Sequence, residues 1–497
     1  MIDYSKAKFW HDCPLDFVRA KRRFGYFGSS SRELLIIEIP CAGVSRQSSI
    51  AETGAIPRIS GCSADERIIA EGVAFSWLPM SELQDGSVSA NPLKVFGYRD
   101  FLYLWASTGF MTVANALRIL VSLQWLYEAT GSATQLGLLG VVQLLQLPVA
   151  LYGGMLADRI NRKMLMVVCQ FAAAAMLIVI TVLAFTELLK PWHIFVVTGL
   201  SGIVAMLGVG ARPAMLPRVI PRYLLPHAVT VQVATRQVAM VGVPLIFWQV
   251  FERFGASVGF TVAASCAVLS TIAPGLIRAS GSPDTASATT RVSEAFKEGF
   301  WFIMRHRLLP GLYLLDIGVV IVSFYRELFP VFADQLYGLG AEGTGLLSSA
   351  DAVGGIIGTF LVFSLNKVGR KGLIVLVSTF VYAIFLIAFG LNTSFALGLV
   401  VIAVLGLTDA ISMTMRQSVV QLTTPDRLLG RASSAHSFAA MGANHIGHIE
   451  VGVMAGLIGA GATMVFGGAA SILVVSAIWF CLPGVRKYDQ NGLEPQR

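Results

Sequence analysis

From Phe101 onward the chain alternates long apolar runs with short polar breaks. A membrane-spanning helix needs about 20 mostly apolar residues, since the hydrocarbon is roughly 30 Å thick and each residue adds about 1.5 Å. By that measure the pattern predicts twelve spanning helices, near 101–127, 134–156, 164–187, 192–217, 226–250, 256–279, 308–333, 342–365, 372–392, 395–421, 428–457 and 460–482. The stretch before them differs. It is mixed in polarity, and its apolar runs are no longer than Leu34 to Ile39. At Met80 a short polar lead, MSELQDGSVSANPLKVFGYRD, opens onto the first run, so translation is expected to begin at Met80, with a cytosolic N-terminal extension as the alternative.

The same pattern sets the expected organisation. Residues 1–92 form an N-terminal extension, 93–280 a six-helix bundle, 281–307 a cytoplasmic linker, 308–483 a second six-helix bundle and 484–497 a cytoplasmic tail. The fold class is an all-α membrane protein. Composition agrees: of 497 residues, 55% are hydrophobic and only 13% charged, about half the charged share of a soluble domain. The mean hydropathy of +0.69 requires lipid as part of the solvent.

A net charge of +8 would suit nucleic acid if the basic residues shared one exposed face. Instead they sit in alternate short loops. One set holds Lys94 and Arg99, then Arg159, Arg162 and Lys163, then Arg218 and Arg222, and so on to Arg486 and Lys487; the opposite set holds only Lys190 and Arg253. The positive-inside rule then puts both termini and the linker in the cytoplasm, and no nucleic-acid partner is expected. The six cysteines show neither paired spacing nor a CxxC, so neither a disulfide framework nor a metal is expected. A phosphate-binding GxxxxGK[ST] loop, a nucleophile elbow and HExxH are missing from the sequence, which argues against ATP-driven pumping and leaves a membrane enzyme as a remote reading.

The chain repeats itself. GLLGVVQLLQLPVALYGGMLADRINRKMLMV from Gly137 lies without a gap over GLLSSADAVGGIIGTFLVFSLNKVGRKGLIV from Gly345, pairing Asp158 with Asn366, Arg159 with Lys367, Arg162 with Arg370 and Lys163 with Lys371. A second pairing sets Arg212 over Arg416. Two like halves imply a substrate site near the midplane between them and transport by rocking one half against the other.

At GGMLADRINRK, Gly153 to Lys163, the chain resembles the loop signature of the major facilitator superfamily, repeated in weaker form at NKVGRK. FGYRDFLYLWASTGFMTVANAL, ARPAMLPRVIPRYLLPHAVTVQVATRQVA and DAISMTMRQSVVQLTTPDRLLGRASSAHSF resemble its drug and siderophore exporter branch, over about residues 95 to 483. The resemblance implies a twelve-helix secondary transporter in a bacterial-type inner membrane that exports a small molecule in exchange for protons. An importer on the same fold is the rival. The family usually has Gly at Asn161, so a positive φ is expected there. GVPLIFWQ, Gly242 to Gln249, keeps only Gly242 and Pro244 of an exporter motif in the fifth helix.

The candidate residues follow. Gly154 permits close helix approach, and Asp158, with Arg159, Arg162, Lys163, Lys367, Arg370 and Lys371, is expected to form a conformational latch; the plainer alternative is that the basic residues only fix topology. Ionisable residues inside a membrane are expensive and therefore candidates by default. Arg118 and Arg236 are expected to form a cationic wall facing Asp351, Asp409 and Glu450 in a central substrate and proton cavity, with Asp351 and Glu450 as preferred proton carriers. Permanent pairing with arginines is the competing view. His445 and His448 share a helical face and join the cavity, whereas Glu450 lies about 140° round from His445 and no metal site results. Arg212 and Arg416 are read as gate residues, and Arg326 and Glu327 as an outer gate or water-facing pair. Expected partners are a small-molecule substrate, protons and the lipid bilayer, with no cofactor and a monomeric state.

Overall fold

The computed structural model describes residues 19–27, 30–38, 92–150, 160–279, 281–282, 292–306, 308–365 and 368–488. The chain falls into two compact units, residues 1–87 and 88–497. In the first, β1 (Arg19–Phe27) and β2 (Ser30–Glu38) pair antiparallel, with Arg19 opposite Glu38 and Phe27 opposite Ser30. A ruler for 20-residue apolar runs is blind to nine-residue strands, and the hairpin is absent from the sequence expectation. Met80 and most of the prefix lie outside the described residues.

The second unit is a helical membrane bundle. Its first half comprises α1 (Arg99–Thr130), α2 (Ala133–Leu144), α3 (Arg162–Phe185), α4 (Pro191–Gly208), α5 (Ala211–Val219) and α6 (Leu225–Gly275). After α7 (Val292–Arg305) come α8 (Leu309–Ser323), α9 (Phe329–Gln335), α10 (Gly340–Leu365), α11 (Lys371–Leu391), α12 (Phe395–Thr423), α13 (Asp426–Ile458), α14 (Ala460–Cys481) and the short α15 (Pro483–Arg486). Helices α4 and α5 together make the fourth span. Helix α6 is the fifth and sixth spans joined end to end: at Gly255 φ is +75° and ψ −177°, a backbone conformation open to glycine, and the helix breaks where the pattern places the boundary.

Nine described helices are long and apolar enough to cross a bilayer, with α6 counted once. The seventh span, Leu309–Gln335, turns by 103° from α7 and is itself interrupted between α8 and α9. The eleventh, α13, has the length of a span but carries too many polar residues to meet a hydropathy test. With these the expected twelve spans are accounted for, in two six-helix halves.

Local chemistry sets the ends. Gly131, at φ +62°, closes α1 by donating its N–H to Tyr127 O at 2.7 Å. Asn161 caps α3, its Oδ1 accepting from the N–H groups of Lys163 (3.1 Å) and Met164 (3.3 Å). Its φ is −54°, so the expected positive φ is wrong: the side chain is used as a cap, and the turn needs no left-handed residue.

Lipid tails are as apolar as the helices, so small residues and interhelical hydrogen bonds do the joining. Among the described residues, such contacts between the halves gather at one end, the end where α1 stops and α2 begins. A Cβ on Gly137 of α2 would lie 2.7 Å from Gly452 Cα of α13, and one on Gly140 would lie 2.5 Å from His445 O. A Cβ on Gly345 of α10 would meet Pro244 O of α6 at 2.7 Å. Thr344 Oγ1 donates to Gln124 Oε1 at 2.7 Å, and the Tyr127 hydroxyl donates to Asp334 Oδ2 at 3.0 Å. The basic loops lie at the opposite end.

Candidate functional site: a charged cavity in the second half

The interruption of the seventh span builds the site. Phe324 ends α8 in an extended conformation, ψ +110°. The Ser323 carbonyl, at the helix end, accepts the Tyr382 hydroxyl of α11 at 2.9 Å. Two consecutive charged side chains, Arg326 and Glu327, project from the break.

Arg326 bridges two carboxylates on different helices. Its Nε donates to Asp351 Oδ2 of α10 at 2.8 Å, and its terminal nitrogen to Asp351 Oδ1 at 3.3 Å and Asp409 Oδ2 of α12 at 3.0 Å. Asp351 also accepts the Tyr325 hydroxyl at 2.5 Å. Asp351 is thus triply held and its side chain only 11% exposed, while Asp409 has one such bond and is 41% exposed. A second ion pair lies nearby: a terminal nitrogen of Arg416 is 2.7 Å from Asp316 Oδ1, both side chains about nine-tenths buried. Each charge offsets part of the other's desolvation.

All of these groups but Asp351, which stands behind Arg326, edge a cavity of ≈ 290 Å³ among α8, α11, α12 and α13, lined by Asp316, Arg326, Tyr382, Asp409, Arg416 and His436 among others. Thr379 and Ser412, their hydroxyls 3.0 Å apart, give it neutral donors and acceptors. Two ion pairs, aromatic rings and hydroxyls around one void suit an amphipathic ligand.

The expected cationic wall does not oppose this acidic one. Among the described residues Arg118 is buried and donates to Asn115 Oδ1 at 2.9 Å, and Arg236 is exposed without an ion pair. The carboxylates find their cation within their own half, because Arg326 stands on the neighbouring helix. The sequence alone reads Arg326 as a gate or water-facing residue. The signal for its central place is an Arg-Glu dipeptide inside an apolar span, followed by Pro330.

His445 and His448 are buried on one face of α13, their rings 5.6 Å apart. His448 Nε2 is 3.1 Å from Glu327 Oε1, and Phe324 packs on its ring with centroids 4.2 Å apart. Glu450 is half-buried, outside the cavity lining, and its Oε2 has no partner among the described residues.

Arg212 joins a polar knot in the first half. With its amide turned to satisfy its neighbours, Gln170 donates to Ser270 O (2.9 Å) and accepts from Ser107 (2.9 Å) and Arg212 (3.1 Å). Neither this contact nor Arg416–Asp316 crosses between the halves. Of the latch set, Gly154, Asp158, Arg159 and Lys367 lie outside the described residues. Arg162 N donates to Gly281 O at 2.8 Å and Lys163 Nζ to Ile277 O at 2.5 Å, placing basic residues on the chain leaving the sixth span. Arg370 is exposed at the start of α11, and Lys371 is buried there.

Comparison with known proteins adds three findings. The sequence profile of the family described as transmembrane secretion effector matches residues 90–497. The enterobactin exporter EntS of Escherichia coli O139:H28 (strain E24377A / ETEC) is 25% identical over 339 residues, 68% of this chain and 81% of the relative; its counterpart in Escherichia fergusonii gives the same figures. Solved structures share the fold at low identity: a POT family transporter in complex with a thioalcohol-conjugated peptide (TM-score 0.64, 12% identical, 78% of this chain and 97% of that one) and a D-xylose-proton symporter (0.59, 15%, 78% and 99%).

Proposed function

Because the chain belongs to the transmembrane secretion effector family of major facilitator transporters, we propose that this secondary transporter of small molecules is a proton-coupled exporter of a siderophore-like or drug-like solute. It is read as a monomer in a bacterial-type inner membrane, with halves at 93–280 and 308–483, a cytoplasmic linker at 281–307 and cytoplasmic termini. The carrying observation is the pairing of a seal between the halves, gathered at one end among the described residues, with an ionised cavity beside it. If the basic loops face the cytoplasm, the sealed end faces out, and the structure is the state that loads substrate from inside.

Asp409 is the proton carrier of this reading. It is the most exposed carboxylate lining the cavity and is held by a single donor, Arg326, so a proton can reach it without first breaking the Asp351 cluster. Protonation removes one anchor of Arg326 and frees that guanidinium for an acidic group on the solute. Asp158, Arg159, Arg162 and Lys163, with Gly154 and their repeat partners Lys367, Arg370 and Lys371, hold the cytoplasmic side when it closes, and Arg212 and Arg416 brace the helices that move. Export is supported by the resemblance to EntS.

The test is accumulation of a labelled catecholate siderophore, a macrolide and a cationic dye in cells lacking or overproducing the protein, with and without a protonophore. Export predicts lower accumulation on overproduction, reversed by the protonophore; higher accumulation means import.

A further inference from the structure

Arg326 and Glu327 are consecutive, yet they serve opposite sides of the seventh-span break. Arg326 turns to Asp351 and Asp409 at the cavity, and Glu327 to His448 on α13. Helix α13 is also the partner of α2 in the seal between the halves. A Cβ on Gly140 would lie 2.9 Å from the His448 Cβ, so His448 touches the break on one side and α2 on the other. Phe324 stacks on the same ring, and Gly447 brings the α13 backbone against Val320 O and the Phe324 Cβ.

The ionisable groups beside His448 are Glu327 from the break and His445 from α13 itself; α2, ATQLGLLGVVQL, brings none. Glu327 Oε2 and all four ring nitrogens of His445 and His448 are buried without a hydrogen bond among the described residues; His448 Nε2 lies 3.1 Å from Glu327 Oε1 but outside hydrogen-bond geometry. Polar atoms closed off in this way favour any state that gives them water or a partner. The Glu327–His448 contact and the glycine seam oppose that tendency.

We propose that the break at Phe324–Leu328 is a two-sided coupling element: Arg326 senses the charge state of Asp351 and Asp409, and Glu327 passes the change to His448 and so to the α2–α13 seal. When Asp409 or Asp351 is neutralised, or an acidic solute group claims Arg326, the break turns, Glu327 leaves His448 and the seal parts. This rests on the two halves alternating in access, and is independent of which solute or ion is carried.

The experiment places spin labels at Ala129→Cys and Leu457→Cys, exposed positions at the sealed ends of α1 and α13, with the six native cysteines changed to serine, and reads distances in lipid nanodiscs without solute. The parent gives mainly the short distance. Glu327→Gln and His448→Gln each raise the long-distance population about tenfold, as does Asp351→Asn combined with Asp409→Asn; adding Glu327→Gln to that pair changes little further. If the cavity variants open the seal while Glu327→Gln and His448→Gln leave it shut, the coupling element is overturned and alternating access stands. If no variant moves the distance, the proposal is also overturned. Both single variants are near in shape to the parent, and if one aggregates on gel filtration the distance in the other decides. Loss of export with the distance response intact would fault the proposed solute or direction and leave this inference standing.

Discussion

Arg212 and Arg416 occupy equivalent positions of the internal repeat but hold different partners: Arg416 meets the Asp316 carboxylate at 2.7 Å, and Arg212 the Gln170 amide oxygen at 3.1 Å. The repeat has kept the cation in both halves and the anion in one. Charge is therefore concentrated asymmetrically, and the ionised cavity lies in the second half.

The two arginines should differ in what they cost. Asp316→Asn leaves the Arg416 guanidinium buried without its anion, an expected loss of about 3–5 kcal/mol. Gln170→Ala removes a neutral acceptor, an expected loss of about 1–3 kcal/mol. Thermal denaturation of the purified protein in detergent orders the two; an Asp316→Asn melting point at or above that of Gln170→Ala contradicts the pairing.

The candidate carboxylates should separate by role. In proteoliposomes Asp409→Asn abolishes flux driven by an imposed pH gradient while solute exchange continues. Asp351→Asn loses both, because it loosens Tyr325 and Arg326 together. Glu450→Gln keeps pH-driven flux, since Glu450 does not line the cavity; loss of coupling in this variant would restore the expectation drawn from sequence.

The seal depends on the space of a missing side chain. Gly452→Val pushes two methyl groups toward Gly137 and disfavours the closed end. A cost of only about 1.4 kcal/mol shifts the population tenfold. The expected result is a fall in transport of about that size, with faster thiol labelling of a cysteine placed at Thr134; unchanged labelling would show that the seam is not where the halves meet.

Asn161 is expected to behave as a helix cap. Asn161→Ala should cost about 1 kcal/mol, and Asn161→Gly a few tenths. A residue forced into positive φ would instead be stabilised by glycine, so a rise in melting temperature for Asn161→Gly counts against the observed geometry.

Some of this was written locally. The span count follows from run length against bilayer thickness, and the fifth and sixth spans separate at Gly255, where their apolar runs meet. The repeat was readable because homologous halves keep their order, and its Arg212–Arg416 pairing needed only a register. His445 and His448 share a face by helical spacing alone. Each of these depends on distances along one helix or on the solvent outside it.

What tertiary structure decided is which charges meet. Hydropathy treats Asp351, Asp409, Arg118, Arg236 and Arg326 alike, as costly residues in apolar runs, and cannot say which helices stand side by side. The interruption after Ser323 decided it for Arg326, by turning one side chain toward α10 and α12 while its neighbour Glu327 turned to α13. The short strands β1 and β2 escaped for the converse reason, since pairing across a turn leaves no 20-residue signature. Sequence thus determined a twelve-span transporter built from two like halves; packing determined that its ionised centre lies in the second half, because a buried charge is settled by the nearest opposite charge in space and not by position along the chain.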